Sequence, residues 1–481
     1  MVLLRTLFLV GTVTIVSCLI AIPIAWLQVR TDLRFRKFWS VITLLPLVMP
    51  SYVGGFIFIV ALGPKGMLQT FLNALWGFER IPDISGYIGS LIILSLLSFP
   101  YVLLTVKAGL RQMDSNLEES ARVLGNGHWR TFLSISVPLL RPSITAGALL
   151  VALYTLSDFG AVSILRYETF TWAIFNQYEG SLNRNFGALL SVILIVIALS
   201  IVVGDGLFRG KARYYRTGQG VSRNPVSVSL GIWQLPSQVF LIIITFLGLV
   251  LPVLVLFYWL IRGVFAGEPL LLLWKAASNS IMISLVASFA TVIAAFPIAV
   301  LCVRYPSMFS VAVEKITYIG FALPGIAVAL GLVFFGANYL PGIYQTFVIL
   351  TAGYVILFLP AAVGSIRSSL LQVRPEIEDA GRSLGHSTFY VLKSLTLPMV
   401  KHGVIAGGVI VFLLTMKELP ATLILSPLGF NTLATSIWSA SSEAFFAQAA
   451  APALLLIFCL LYTSDAADEG LGVDLGGRRI I

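Results

Sequence analysis

Charged side chains are scarce in this sequence. Only 11% of its 481 residues are Asp, Glu, Lys or Arg, whereas 58% are hydrophobic and the mean hydropathy is +0.96. This balance excludes a soluble domain built around one large core. Several apolar runs are longer than the roughly 18 to 20 residues that a helix needs to cross a bilayer. We therefore predict an all-α polytopic membrane protein.

Cysteine and histidine are also rare. The three cysteines lie inside predicted apolar helices or directly at the end of one: Cys18, Cys302 and Cys459. They imply no disulfide framework. The three histidines lie in or beside predicted loops without ligand spacing: His128, His386 and His402. We therefore assign no metal site, and because no nucleophile, base or metal cluster repeats or converges, we assign no catalytic residue and expect no enzyme.

The sequence also lacks a P-loop. The pattern G-x-x-x-x-G-K-[ST], whose backbone and lysine hold nucleotide phosphates, occurs nowhere in the chain. The chain therefore cannot hydrolyse ATP itself, and any movement driven by ATP would need a separate subunit.

Eleven apolar segments are long enough to span a membrane. We predict helices over these ranges: 3–27, 39–62, 86–109, 142–165, 187–208, 238–261, 278–301, 314–336, 345–366, 402–425 and 445–463. Of the 31 basic residues, 21 fall in connections that this helix count places on one side of the membrane, and 7 fall on the other side. The positive-inside rule names the richer side cytoplasmic. The net charge of +10 is therefore a signal of topology and not of a nucleic-acid surface.

The chain contains two related halves. Residues 21–30 match residues 295–304 at seven of ten positions, and residues 118–138 match residues 378–398 at six of 21 positions. The offsets are 274 and 260, so the first half carries 14 extra residues, which fall in an outer loop around 63–85. The first predicted helix pairs with the seventh, and an even number of spans restores the orientation. We therefore predict parallel repeats.

The repeat divides the chain into four parts. These are a first repeat at 1–208, a cytoplasmic linker at 209–237, a second repeat at 238–463 and a tail at 464–481. The second repeat is preceded by a helix that has no counterpart before the first, so we expect twelve spans in the complete protein. The tail resembles translated adapter sequence, and we expect it to be non-native.

A short polar helix, EESARVLG in its first copy, is repeated between the halves. Ser115 and Glu118 form a capping box at the start of the first copy, and Pro375 suits the first turn of the second. Gly125 and Gly385 are expected to end the two helices. A helix of this length is not stable alone, so we expect it to dock on a partner.

This segment resembles the EAA loop of ABC-importer permeases. The first copy reads Glu119-Ser120-Ala121, three residues, Gly125, and then Ile135-x-Val137-Pro138. The second copy departs more, with Asp379-Ala380-Gly381 before Gly385, and then Leu395-x-Leu397-Pro398. The resemblance assigns an ATPase-coupling role to eight residues: Glu118, Glu119, Ala121, Gly125, Glu378, Asp379, Gly381 and Gly385.

The resemblance implies two parallel repeats of the type I ABC-importer permease fold, in the bacterial cytoplasmic (inner) membrane. In that family the loop docks into a groove on the ATPase subunit and carries its motion to the membrane helices. The implied partners are an ATP-binding cassette ATPase dimer, which uses ATP and Mg, an external substrate-binding protein, and membrane lipid. No nucleic acid and no cofactor bound by this chain are expected. The binding protein would dock on the loops 166–186 and 426–444.

Ionisable residues inside predicted spans form a second repeated pattern. SDFGAVSIL aligns with KELPATLIL, which pairs Asp158 with Glu418, and Gly160 and Pro420 follow at equivalent places. Both helices are expected to loosen there. We predict that Asp158, Glu418 and Lys417 lie along the translocation pathway, and the alternative is that they pair with other helices for assembly. Adjacent residues of a helix do not face each other, so Lys417 and Glu418 are not expected to neutralise one another directly.

The same two segments, with PLGFNTLAT at 427–435, resemble the fused permeases for ferric iron over nearly all of residues 1–463. A hard cation suits carboxylate and carbonyl oxygens. Related fused permeases carry thiamine or phosphonates, so these substrates are alternatives. An ion-gradient transporter is the alternative mechanism, but it has no reason to repeat a cytoplasmic docking segment. We therefore expect the membrane subunit of an ATP-driven importer that works by alternating access.

Overall fold

The chain folds into helices, as predicted. A computed structural model describes residues 1–64, 66–77, 83–113, 127–180, 184–208, 228–267 and 271–470, together with Val123 and Gly125. Over these residues the regular structure is helical, apart from one isolated bridge between Thr31 and Val228.

The helices of the first half are α1 (Val2–Arg30), α2 (Arg36–Ile42), α3 (Ser51–Leu62), α4 (Met67–Trp76), α5 (Tyr87–Gln112), α6 (His128–Thr131), α7 (Val137–Ser157), α8 (Gly160–Ile164), α9 (Phe170–Glu179) and α10 (Arg184–Phe208). Those of the second half are α11 (Gln234–Thr245), α12 (Leu251–Phe265), α13 (Leu271–Arg304), α14 (Met308–Ile319), α15 (Gly325–Tyr339), α16 (Phe347–Leu370), α17 (Pro375–Ser383), α18 (Thr388–Val391), α19 (Leu397–Met399), α20 (Lys401–Met416), α21 (Pro420–Leu425), α22 (Leu433–Ser442) and α23 (Phe446–Gly470). Single π-helical turns join α6 to α7, α11 to α12, and α18 to α19.

Nine helices in the described part of the chain are long and apolar enough to cross a membrane. They are Val2–Arg30, Ser51–Trp76, Tyr87–Arg111, Ser134–Ser157, Asn185–Gly204, Gly231–Phe265, Trp274–Arg304, Phe347–Leu370 and Phe446–Thr463. A tenth span results if Thr388–Met399 and Lys401–Met416, which meet at an angle of 74°, count as one. The predicted eleventh, 314–336, is divided into two helices that are each too short.

Two of the predicted helices break at a proline that the repeats share. The predicted helices 39–62 and 314–336 are wrong as continuous elements, because the backbone is extended at Met49 (ψ 124°) and at Leu323 (ψ 121°). Proline disfavours the helical conformation of the residue before it, and Pro50 and Pro324 follow these two residues. New helices, α3 and α15, begin directly after the two prolines.

Two other predicted helices break at the intramembrane acids. The predicted helix 142–165 is divided at Asp158 and Phe159 into α7 and α8. The predicted helix 402–425 is divided between Met416 and Pro420 into α20 and α21. Each repeat therefore carries two interrupted apolar segments, at corresponding positions.

The helices group into two compact units, and each unit contains a segment from both predicted repeats. One unit comprises Met1–Ala173 and Val196–Val255, and the other comprises Ile174–Ile195 and Leu256–Ile481. The first unit therefore includes α11, where the Trp39 indole donates a hydrogen bond to Gln238 at 2.9 Å. The second includes α9 from Ile174 onward, where the ring of Phe175 meets that of Trp438 edge-on at 5.6 Å. The sequence boundaries of the repeats stay a prediction.

The core of the second unit lies where the interrupted segments meet the long helices. One buried apolar cluster joins α13, α15, α16 and α21, with Tyr354 almost completely buried in it. The Tyr354 hydroxyl lies 2.7 Å from that of Thr422 on α21. The short helix after the acid is therefore held by packing and by a hydrogen bond. The predicted linker and tail fall partly outside the description, which omits residues 209–227 and 471–481.

Candidate functional site: coupling segments and intramembrane acids

We call the two copies of the EAA-like motif the first and the second coupling segment. The second forms the nine-residue helix α17 (Pro375–Ser383). Pro375 occupies its first turn, Glu376 and Glu378 place negative charge near its N-terminus, and Arg382 lies in its last turn. This distribution stabilises a helix through its macrodipole. Gly385 ends the segment with a φ of 85°, a left-handed conformation that glycine adopts at little cost.

One face of the second coupling segment packs on the helix that follows it. A Cβ added at Gly381 would lie 2.9 Å from Leu395 Cδ1 and 3.1 Å from Val391 Cγ2, so a larger residue would require these two side chains to shift. Two apolar side chains near the end of this segment are exposed: Leu384, directly after α17, is 79% exposed, and Phe389, in the following helix α18, is 75% exposed. Exposed apolar side chains beside a charged helix are typical of a protein docking surface.

The two adjacent acids of α17 have different surroundings. The Glu378 carboxylate is buried and accepts hydrogen bonds from the Arg304 guanidinium Nε at 3.0 and 3.1 Å. The Asp379 side chain is 64% exposed and pairs with Arg382 at 2.7 Å, one turn along the same helix. Only Asp379 of this pair is available to a partner.

The first coupling segment is described at few positions. Glu118, Glu119 and Ala121 lie outside the described residues, so their placement is untested. Gly125 has a φ of 86°, against 85° at Gly385, and a Cβ at either glycine would meet nothing within 4 Å. The two repeats therefore share the same left-handed glycine at the same position of the motif.

The Asp158 carboxylate caps the short helix α8. It is 7% exposed and accepts hydrogen bonds from the backbone N–H groups of Ala161 at 3.0 Å and Val162 at 3.4 Å. It also bonds the hydroxyl of Ser51, the first residue of α3. Two helix N-termini, those of α3 and α8, therefore meet at one carboxylate, which suits the positive end of a helix dipole.

Glu418 holds the same place in the second repeat. Its carboxylate accepts a hydrogen bond from the Ala421 N–H at 3.2 Å, at the start of α21, and lies against Gly325, the first residue of α15. Glu418 is half-buried. The expectation that Lys417 and Glu418 do not neutralise one another assumed a continuous helix. That premise is wrong, because α20 ends at Met416. The expectation about the two charges stays a prediction.

The predicted docking loops contain short helices. In 166–186 this is α9, and in 426–444 it is α22, where Thr432 and Thr435 form a reciprocal capping box. Leu428, before α22, is 86% exposed. Across the described residues, no three His, Cys, Asp or Glu side chains come close enough together to hold a metal ion.

Several residues of these sites were not singled out from the sequence, although signals for them existed. Arg304 belongs to the seven-of-ten match between the repeats, but it received no role. Pro50 and Pro324 align at the offset of 274, as do Ser51 and Gly325. Proline restricts the backbone of the residue before it. The two aligned prolines could therefore have located the breaks in the predicted helices 39–62 and 314–336.

The fold and the repeated motif define a class: a fused helical permease with two repeats. The model of the binding-protein-dependent transport system inner membrane component family matches residues 15–209 and 296–466, once in each half. The chain belongs to this family. It is a multi-pass inner-membrane permease of the ABC-importer type, and the prediction of two permease repeats is confirmed.

Relatives extend the match over most of the chain. The Fe(3+)-transport system permease protein FbpB 2 of Haemophilus influenzae is 38% identical over 457 residues, which cover 94% of this chain and 86% of that protein. A second permease of that organism, the putative ferric transport system protein FbpB 1, is 24% identical over 88% of this chain and 69% of its own length. The molybdenum transport system permease protein ModB of Escherichia coli is 30% identical over 38% of this chain and 82% of its own length.

Proposed function

We propose that this chain forms the translocation pathway of a ferric-iron importer, and that a separate ATP-binding cassette ATPase dimer and an external iron-binding protein complete the transporter. The observation that supports ferric iron as the substrate is the 38% identity to an Fe(3+)-transport permease over 94% of this chain. The molybdenum permease supports the class of transporter only, because its match covers 38% of this chain. Thiamine and a phosphonate are the alternative substrates.

The exposed surface of the second coupling segment supports docking of the ATPase. Leu384 and Phe389 expose apolar area beside the charge of Asp379, and Gly385 lets the chain turn away immediately afterwards. In the proposal the ATPase dimer, which uses ATP and Mg, covers this surface and its counterpart around Gly125. Closure of the dimer moves both segments together and opens the pathway outward, as alternating access requires.

The broken helices support the position of the pathway. Irregular backbone at membrane depth is tolerated where it is buried in protein or lines a water-filled cavity. Asp158, Lys417 and Glu418 all lie at such breaks. We place them along the pathway, where the two carboxylates hold the short helices α8 and α21 in position. The loops 166–186 and 426–444 would receive the iron-binding protein on the outer side.

Uptake of radioactive ferric iron tests this function. Proteoliposomes would contain the full chain with its co-purified ATPase, and the binding protein would be added outside. We expect uptake that requires ATP and is abolished by Gly385→Asp or Gly125→Asp, although these chains still insert into the membrane. Gly267→Asp is the matched control, since Gly267 also has a positive φ (77°) and open space around it.

Three other results would change the proposal. Uptake that follows an imposed ion gradient without ATP would establish a secondary transporter instead. ATP-driven uptake of molybdate, thiamine or a phosphonate in place of iron would overturn the substrate and leave the transporter class intact. Full uptake by the Gly385→Asp variant would remove the coupling role of this segment.

A further inference from the structure

The Glu378 carboxylate joins three helical elements of the second repeat. Oε1 and Oε2 accept hydrogen bonds from Arg304 Nε at 3.1 and 3.0 Å, and Oε1 also accepts one from the Thr396 hydroxyl at 3.0 Å. Arg304 is the last residue of α13, Glu378 lies in α17, and Thr396 lies in the helical segment that leads towards α20. The C-terminal end of the spanning helix α13 is thereby tied to α17 and to the segment Thr388–Met399, which meets α20 at an angle of 74°.

This group, which we call the clamp (Arg304, Glu378 and Thr396), is buried. The side chains of Arg304 and Glu378 are 10% and 6% exposed, and Thr396 is fully buried. Arg304 also donates to the Val373 carbonyl at 3.0 Å, just before α17 begins. A buried ion pair holds its geometry strongly, because removing one partner leaves the other charge buried and uncompensated.

Glu378 differs in this respect from Glu314, which also pairs with an arginine. The Glu314–Arg367 pair has a longer separation of 3.4 Å, and its side chains are 25% and 38% exposed. Such a pair stabilises a protein little, because water screens both charges. The Arg304–Glu378 pair is thus shorter and more buried than the Glu314–Arg367 pair.

Part of this arrangement recurs in the first repeat. Arg30, the last residue of α1, is 3% exposed and donates to the Met113 carbonyl at 3.5 Å. Met113 aligns with Val373, and Ser136, which is 1% exposed, aligns with Thr396. The arginine, the carbonyl that it bonds and a buried hydroxyl therefore recur at the same positions.

We infer that Arg304, Glu378 and Thr396 are positioning residues that transmit the movement of the coupling helix α17 to the spanning helix α13 and to the bent segment that continues into α20. This inference rests on the proposed function, since it requires a partner that moves α17. It gives the two adjacent acids of the motif separate tasks. Asp379 faces the partner, whereas Glu378 faces inward and connects the helix to the membrane core.

The first test measures the clamp without the ATPase. Amide hydrogen exchange over residues 375–385 would be followed in the full chain in lipid nanodiscs. We expect Arg304→Gln and Glu378→Gln each to raise the exchange rate about tenfold or more. In the Arg304→Gln/Glu378→Gln chain the rate should not exceed that of the faster single variant, because partners in one interaction are not additive. Glu314→Gln, the matched control, should leave the rate unchanged.

Additive rates in the double variant, or exchange as slow in Glu378→Gln as in the unaltered chain, would show that no clamp holds α17. Both results would overturn the inference whatever the ATPase does.

The second test measures coupling in the assembled complex. We expect Glu378→Gln to retain the ATPase subunit on purification but to lose the stimulation of ATP hydrolysis by loaded binding protein, together with iron uptake. Arg30→Gln makes the matching change in the first repeat and should reduce the same stimulation. Loss of the ATPase subunit from Glu378→Gln would instead make this residue a docking contact and overturn the positioning role.

The two proposals fail in different ways. If the unaltered chain neither retains an ATPase nor takes up iron with ATP, the proposed function fails, although the exchange result still stands. If the unaltered complex is coupled and Glu378→Gln is coupled equally well, only the clamp fails.

Discussion

Both repeats contain a close glycine–serine contact between two helices, but the glycine lies on opposite helices in the two repeats. In the first repeat Gly109 on α5 faces Ser143 on α7, and a Cβ at Gly109 would lie 2.9 Å from the Ser143 Cβ. In the second repeat the aligned residues are Ser369 and Gly403, and a Cβ at Gly403 would lie 2.5 Å from the Ser369 Cβ. Each contact needs one glycine, and either helix can supply it.

The break beside the intramembrane acid shows the same exchange. In the first repeat the glycine is Gly160 on α8, whose added Cβ would lie 2.9 Å from the Ser51 hydroxyl. In the second repeat Pro420 stands at the place of Gly160, and the glycine is Gly325, at the place of Ser51. Small residues let membrane helices approach closely. In both repeats a glycine therefore allows the close approach, although aligned positions do not supply it.

The largest effect should come from breaking the glycine–serine contact of one repeat. Gly109→Ser places a second side chain against Ser143, and we expect a loss of about 1–3 kcal/mol in the free energy of unfolding from overpacking. The double variant Gly109→Ser/Ser143→Gly copies the arrangement of the second repeat and should recover most of that loss. The unfolding of the purified full chain, followed by denaturant titration in detergent, measures both. A double variant no more stable than Gly109→Ser would show that the two sides are not interchangeable.

Removal of the intramembrane acid should cost more stability in the first repeat than in the second. Asp158→Ala deletes a buried carboxylate that bonds two backbone N–H groups and the Ser51 hydroxyl, and we expect a loss of about 2 kcal/mol. Glu418→Ala deletes a half-buried carboxylate with one backbone donor at 3.2 Å, and we expect a loss of about 1 kcal/mol. The same denaturant titration ranks the two variants. A larger loss for Glu418→Ala would mean that its charge, and not its capping bond, stabilises the break.

The sequence predicts a feature of the candidate site where both repeats have a residue that signals it, and fails where the aligned residues differ. The breaks at Asp158 and Glu418 could be expected because a glycine and a proline follow them, and both residues weaken helices. The glycine–serine exchange could not be seen in the same way. Gly109 aligns with Ser369 and Ser143 with Gly403, so a comparison of identities scores two mismatches where the structure has one conserved contact.

The bend of 74° between the segments Thr388–Met399 and Lys401–Met416 is a second feature that the sequence did not predict. The aligned part of the first repeat, Ser134–Ser157, forms one span. Proline does not explain this difference, because the first repeat carries Pro142 where the second carries His402. Such angles depend on how neighbouring helices pack, and a periodic pattern of apolar residues carries no information about them.

The coupling glycines should respond alike, because their surroundings match. Gly125→Ala and Gly385→Ala each force an alanine into the left-handed region, at a cost of about 1 kcal/mol confined to the end of the coupling segment. Asparagine, which tolerates this conformation better, should lose less activity. ATP-driven iron uptake by the four variants measures the effect. A loss in one repeat only would indicate that the two coupling segments do not act equally on the transporter.

The smallest change in stability should follow Asp379→Asn. The Asp379–Arg382 pair joins two exposed side chains one turn apart, and such pairs contribute about 0.2–1 kcal/mol or less. We expect an unfolding free energy almost equal to that of the unaltered chain, whereas Glu378→Gln, one residue earlier, should be clearly destabilised because its carboxylate is buried against Arg304. Denaturant titrations of the two variants, compared with their ATP-driven uptake, separate the roles of the adjacent acids. If the two variants lose equal stability, Glu378 is not held more firmly than an exposed residue, and the contrast between the two acids disappears.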